Sequence, residues 1–199
     1  MDTAARVQEA FEAVPRTRFL RRLERLRASV DAPLPIGHGQ TNSQPSTVRQ
    51  MLELLDVQPG DRVLDVGSGS GWTTVLLAWL CGPTGQVLGL ERLPDLVAFG
   101  AANVARSGMP WARVDQARAG QLGAAEGGPY DRILVSAEPP ELPEELVGQL
   151  AEGGRMVIPV HGEMLVVDRL GAEARVRRLG AFRFVPLVRD RPADAGPAG

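Results

Sequence analysis

Lysine is missing: all 22 basic residues of this 199-residue chain are arginine. Chemistry that needs an ε-amine, such as Schiff-base formation or the phosphate grip of a P-loop lysine, is thereby excluded. Cysteine occurs once, at Cys81, so no intrachain disulfide can close and no cysteine-rich zinc site can assemble. The two histidines, His38 and His161, each sit beside a glycine and form no His-pair metal motif; both read as structural or incidental. No apolar run approaches the ~18 residues that span a bilayer. The opening MDTAARVQEAFEAV carries acids and lacks the apolar core of a signal peptide, which leads us to expect a cytoplasmic chain with no membrane partner. Neither sign of charge dominates: 22 basic against 24 acidic residues leave a net −2, which argues against a dedicated nucleic-acid binder.

What is present fits one soluble domain, with 44% hydrophobic and 23% charged residues. Val7, Ala10, Phe11 and Val14 recur at helical spacing until Pro15 interrupts them. Arg16 to Arg27, with Phe19, Leu20, Leu23 and Leu26, reads as a second amphipathic helix with a solvated arginine face. Residues 31–45, DAPLPIGHGQTNSQP, form a loop too long for a plain connection and therefore a candidate for function. Ser43, ahead of Pro45, marks the start of the next helix, whose apolar face holds Val48, Met51, Leu52 and Leu55.

Strands and helices then alternate. RVLDVG (62–67), QVLGLE (86–91), 112–114, RILVS (132–136) and RMVIPV (155–160) read as strands, and 72–80, 94–107 and 143–150 as helices. Gly153-Gly154 is expected to turn the chain. Beyond His161, the segments 164–170, 174–179 and 182–188 follow without helices and read as antiparallel strands, with 189–199 as a disordered tail. The fold class expected is α/β: a mostly parallel, doubly wound, Rossmann-like sheet with antiparallel C-terminal strands.

Chemistry concentrates at Asp65-Val66-Gly67-Ser68-Gly69-Ser70-Gly71, a glycine loop between the first sheet strand and its helix, where backbone can approach a ligand closely. The third glycine of a dinucleotide fingerprint would fall at Trp72, which disfavours NAD. Glu91 ends the neighbouring strand and is placed to accept bonds from ribose hydroxyls. Two strand-end acids and a glycine loop without lysine suit a cationic or neutral nucleoside such as S-adenosylmethionine. Cys81, between Leu80 and Gly82, reads as a small buried hydrophobe.

These residues resemble the protein-L-isoaspartate O-methyltransferase family. The resemblance runs through PLPIGHGQTNSQP (33–45), LLDVQPGDRVLDVGSGSGW, PYDRILVSA, LPEELVGQLAEGGRMVIPV and FVPLV, and covers about residues 7–188. It implies a class I methyltransferase with rearranged last strands, in one domain over 1–188. Within it, 1–30 form N-terminal helices, 31–45 the active-site loop, 60–160 the cofactor core and 161–188 the closing strands. The reaction implied is methyl transfer from S-adenosylmethionine to the free carboxylate of isoaspartyl residues in damaged proteins, whose ester would then cyclise without further catalysis.

By the same resemblance, Ser43 offers its hydroxyl to the substrate carboxylate, and Thr41, Asn42, Val185 and Leu187 contact the substrate. Asp65, Gly67, Ser68, Gly69, Gly71, Glu91 and Gly120 would hold the cofactor. The expected partners are isoaspartyl proteins or peptides, with no metal and no nucleic acid, and the chain is expected to be a monomer. Three positions depart from the family pattern: Ala119, where an acid is usual, Asn42 and Glu138. Together they motivate one alternative, a methyltransferase for another carboxylate (a biosynthetic peptide or small molecule), and Ala119 alone motivates a second, a non-catalytic binding module of the same fold.

Overall fold

The computed structural model describes residues 2–190, so residues 191–199 of the expected tail lie outside the described residues. A seven-stranded sheet runs in the order β5-β4-β3-β6-β7-β8-β9. Its parallel half is β3 (Arg62–Val66), β4 (Gln86–Glu91), β5 (Ala112–Gln116), β6 (Tyr130–Val135) and β7 (Leu150–Val160). β8 (Glu163–Leu170) and β9 (Glu173–Ala181) extend it as an antiparallel meander. Val63, Leu64, Ile133, Leu134, Met156 and Val157 are all buried, which is why these strands are continuous apolar runs rather than alternating ones. Helices α1 (Thr3–Ala13), α2 (Pro45–Leu55), α3 (Trp72–Cys81), α4 (Pro94–Ala105) and the short α5 (Glu144–Val147) complete the α/β architecture expected from the sequence. α1, α2 and α3 share one core with the sheet face carrying Val63, Leu134 and Val157. Among the described residues no helix is long and apolar enough to cross a membrane.

Several local expectations need correction. Residues 16–27 are not one α-helix but two 3₁₀ helices, Arg16–Phe19 and Arg22–Arg27, broken at Leu20. With three residues per turn, Phe19 and Leu20 are buried while Leu23 and Leu26 point outward. The 31–45 loop contains a small hairpin, β1 (Leu34–Gly37) and β2 (Gln40–Asn42), turned through His38-Gly39 with both residues at positive φ. Gly153-Gly154 does not reverse the chain. It lies inside β7, which starts at Leu150, and the pairing with β6 shifts register there, so the glycines accommodate a bulge.

Residues 182–188 do not form a strand either. They run as an extended strap across the end of β6, joined by the Glu138–Pro186 bridge. Arg189 and Asp190, expected in the tail, belong to that strap. Arg189 pairs with Glu145, and the Asp190 carbonyl accepts from Gly120 N at 2.7 Å.

Candidate active site

The chain lays β3 first, places β4 and β5 to one side, and then crosses to β6 and β7 on the other. Open α/β sheets bind ligands in the crevice that this reversal leaves at the carboxyl ends of the strands. A cavity lies there. Gly67, Gly69, Glu91 and Ser136 form its sheet side, Gln40, Thr41 and Ser43 approach from the hairpin, and Val185, Leu187 and Asp190 from the strap.

The glycine loop is held from three directions. Gly67 N and Ser68 N both donate to the Leu90 carbonyl, at 2.9 and 3.0 Å, and fix the loop to the end of β4. Glu91, itself buried, accepts Gly69 N at 3.1 Å on one carboxylate oxygen, and Arg92 N and Leu93 N at 2.8 and 2.9 Å on the other. One carboxylate thus sets the relation between the loop and the α4 approach while still lining the cavity. Gly71 opens α3 at φ +81°, and a Cβ there would stand 2.9 Å from Val104 Cγ2 and 3.0 Å from the Gly100 carbonyl. It serves close packing of α3 on α4 and does not itself line the cavity.

Asp65 lies beneath the loop, fully buried, and likewise does not line the cavity. The Thr73 and Thr74 hydroxyls both donate to its Oδ2 at 2.7 Å, tying the end of β3 to the first turn of α3. Burial drives its pKa up to about 6 against the opposing pull of these two hydroxyls, with the nearby Glu91 charge adding to the rise. Asp65 thus anchors the loop through one carboxylate oxygen. Its Oδ1 and the Ser68 hydroxyl are buried polar atoms without a protein hydrogen-bond partner. Buried polar atoms are seldom left unpaired, so the loop suits a ligand that brings donors and acceptors of its own. A nucleoside with an amino-acid tail fits that requirement.

On the hairpin side, Arg16 is the organising residue. It is buried, and burial lowers its pKa to about 10, so it stays cationic at neutral pH. Its Nη2 donates to the carbonyls of Ala32, Asn42 and Ser43 at 2.8, 3.0 and 3.0 Å, and its Nη1 to Val30 at 3.0 Å. Its Nε donates to Asn42 Oδ1 at 2.6 Å, and Asn42 Nδ2 in turn donates to Ser70 Oγ at 3.0 Å. The Asn42 side chain is therefore committed to linking hairpin and glycine loop. Trp72 completes this corner, donating from Nε1 to the Val14 carbonyl at 3.1 Å. Ser43 lies in the cavity wall, and its hydroxyl makes no protein hydrogen bond among the described residues. The helix start expected at Ser43 falls instead at Gln44, which caps α2 without a side-chain bond. Ser43 is thus free of a capping duty.

On the strap side, Val185 and Leu187 line the cavity. Glu138 N donates to Val185 O at 2.8 Å, and Leu187 N to Glu138 O at 2.7 Å. The Glu138 carboxylate turns away to accept Gly162 N at 2.7 Å, so it places no acid in the cavity. Gly120, expected among the cofactor residues, is exposed and does not line the cavity; its N–H anchors the strap at Asp190. The Asp190 carboxylate in turn lies 3.4 Å from Arg92 Nη1. Sequence reasoning missed Arg16, Gln40, Ser136 and Asp190. Ser136 carried a usable signal, since it directly follows a strand beside the glycine-loop strand. Arg16 carried none, because all its hydrogen-bond partners except Asn42 Oδ1 are backbone carbonyls. Cys81 is buried, with its thiol pushed up to about 11 by desolvation, and takes no part.

A family model described as protein-L-isoaspartate(D-aspartate) O-methyltransferase matches residues 1–192. The protein-L-isoaspartate O-methyltransferase of Methanopyrus kandleri is 45% identical over 188 residues, covering 92% of this chain and 83% of that protein. The one from Methanothrix thermoacetophila is 44% identical over 186 residues, covering 92% and 88%. Among solved structures, the Plasmodium falciparum chain described as a beta-aspartate methyltransferase, in complex with S-adenosyl-L-homocysteine, superposes with a TM-score of 0.81. It is 30% identical and covers 93% of this chain and 91% of its own.

Proposed function

The chain belongs to the protein-L-isoaspartate(D-aspartate) O-methyltransferase family, and on that premise we propose that it methylates the free carboxylate of L-isoaspartyl residues in damaged proteins, with S-adenosylmethionine as methyl donor. The observation that carries this reading is one cavity shared by the glycine loop, Glu91 and the Ser43 hydroxyl. Cofactor elements and a free hydroxyl thus face the same space.

When bound, S-adenosylmethionine supplies an electrophilic methyl group. Glu91 is suited to accept a ribose hydroxyl, since backbone N–H groups fix both its oxygens and Oε2, which accepts only Gly69 N, keeps a lone pair to spare. Ser43 would donate its hydroxyl to one oxygen of the substrate carboxylate, orient that group toward the methyl donor and leave its other oxygen free. A carboxylate is already ionised near pH 7, so no general base is required. What the protein contributes is orientation and exclusion of water, worth several of the ~7–11 kcal/mol available from fixing two reactants in line. Val185 and Leu187, on a strap already paired to Glu138, give the substrate backbone an extended edge to lie against.

Two of the three departures that motivated other acceptors lose their force. The side chains of Asn42 and Glu138 are both spent on structural bonds, and neither changes the charge of the cavity. The test is methyl transfer from labelled S-adenosylmethionine to one peptide in isoaspartyl and normal aspartyl forms. Transfer to the isoaspartyl form alone supports the reading; equal transfer, or none, overturns it.

A further inference from the structure

The 3₁₀ helix Arg22–Arg27 sorts its side chains by threes: Leu23 with Leu26, Arg22 with Arg25, and Glu24 with Arg27. The leucines are 87% and 96% exposed, an unusual state for two large apolar side chains on one face. Arg27 is paired with Glu24 at 3.0 Å, whereas Arg18, Arg22 and Arg25 have no carboxylate partner among the described residues. Arg18 and Arg25 also line a groove beside this helix, together with Arg106 and the apolar Phe19, Val75 and Met109. The surface therefore joins apolar contact area to unneutralised positive charge.

Its position relates it to the active site. Arg21, the residue before the helix, donates from Nε to the carbonyl of Ile36 at 2.9 Å, and Ile36 lines the cofactor cavity. α4 runs from that cavity to the groove: Leu93 just before it lines the cavity, and Arg106 just after it lines the groove. Its 12 residues correspond to about 18 Å, a span that about six residues of extended polypeptide cover.

We propose that this surface is an exosite for the substrate polypeptide, capturing an unfolded, acidic chain by its apolar and carboxylate side chains some six residues from the isoaspartyl group. This rests on the methyltransferase reading. The charge selects the occupant. In a symmetric pair of copies the arginines would face each other, which disfavours self-association. The helix is also too short to offer the broad apolar face by which amphipathic helices enter a membrane surface. An acidic unfolded chain meets both the leucines and the arginines.

The experiment compares the full chain with two variants, Leu23→Ser/Leu26→Ser and Arg18→Glu, whose altered side chains are all exposed. Two isoaspartyl substrates are used, one of about four residues and one acidic and unfolded of about thirty, only the second being long enough to reach both sites. Binding of the long chain is followed in parallel by fluorescence anisotropy, independently of turnover. We expect KM and Kd for the long chain to rise about tenfold in each variant, the scale of losing partial burial of two leucines or one ion pair. Turnover of the short peptide and kcat for both should stay unchanged. Equal losses on both substrates, or no loss on either, overturn the exosite. If neither substrate is methylated but long-chain binding is still lost in the variants, the exosite stands and the methyltransferase reading falls. Binding of anionic phospholipid vesicles, or dimerisation, that depends on these residues while polypeptide binding does not also overturns it.

Discussion

Arg16 holds Ser43 in place: its Nη2 donates to the Ser43 carbonyl at 3.0 Å, while Ser43 lines the cavity. The same guanidinium gathers the carbonyls of Val30, Ala32 and Asn42, so a buried cation takes the place of regular backbone pairing where hairpin, 3₁₀ segment and α2 meet. Lysine cannot reproduce this fan of donors, because it offers three rotatable N–H groups at one point in place of five in a rigid fork. Arg16→Lys should lower kcat for an isoaspartyl peptide on the order of tenfold to a hundredfold, as expected when a reacting group is misplaced by about an ångström. S-adenosylmethionine affinity should hardly change, since Arg16 does not line the cavity. Steady-state kinetics alongside calorimetric cofactor binding separates these effects; parallel losses in both would contradict the assignment.

Ser43 itself should behave as a functional group with little structural duty. Its hydroxyl caps nothing and bonds to no protein atom among the described residues. Ser43→Ala is therefore expected to leave the thermal midpoint almost unchanged. Removing one hydrogen bond to a charged carboxylate costs about 1.5–3 kcal/mol, which corresponds to a loss of roughly tenfold to a hundredfold in kcat/KM. Thermal unfolding and peptide methylation measured on the same preparation check both halves.

Much of this arrangement was legible in the sequence, and the exceptions share physical causes. β3, β4 and β6 could be read because strands buried on both faces are uninterrupted apolar runs, and because Asp65, Gly67 and Glu91 mark their carboxyl ends. Residues 16–27 read as one α-helix because a 3.6-residue period and a three-residue period differ by only about one position over two turns. That small difference moved Leu23 and Leu26 from an expected apolar face to full exposure. The role of Asn42 was hidden because its partners, Arg16 and Ser70, are 26 and 28 positions away. The strap was legible as an extended segment over 182–188 but not in its pairing, since its β-bridge is to one residue, Glu138, and not to a strand.

Glu91 couples loop geometry to cofactor affinity, so its removal should be felt as binding. Glu91→Gln keeps the size and one acceptor oxygen but turns an amide toward at least one N–H group that the carboxylate now satisfies. The Kd for S-adenosylmethionine should rise on the order of tenfold to a hundredfold, the value of one hydrogen bond to a charged group. Isothermal calorimetry on the wild type and the variant decides it; an unchanged Kd would mean that Glu91 serves the loop alone.

Asp65 predicts a pH signature in stability. Its folded pKa, raised to about 6 by burial, lies above the ordinary value of 3.8. Between these two values the folded state retains a proton that the unfolded chain has released, so stability falls as pH rises from about 4 to about 6 and then levels off. The contribution is a penalty that is absent below the unfolded pKa and complete above the folded one. Asp65→Asn removes the titration and keeps an oxygen for the Thr73 and Thr74 hydroxyls. The difference in urea-unfolding free energy between variant and wild type should therefore shift in the variant's favour across this window, by on the order of 2 kcal/mol. Taking the difference cancels every other titrating group, so a flat difference between pH 4 and 7 would show that Asp65 is ionised throughout this range in the folded protein.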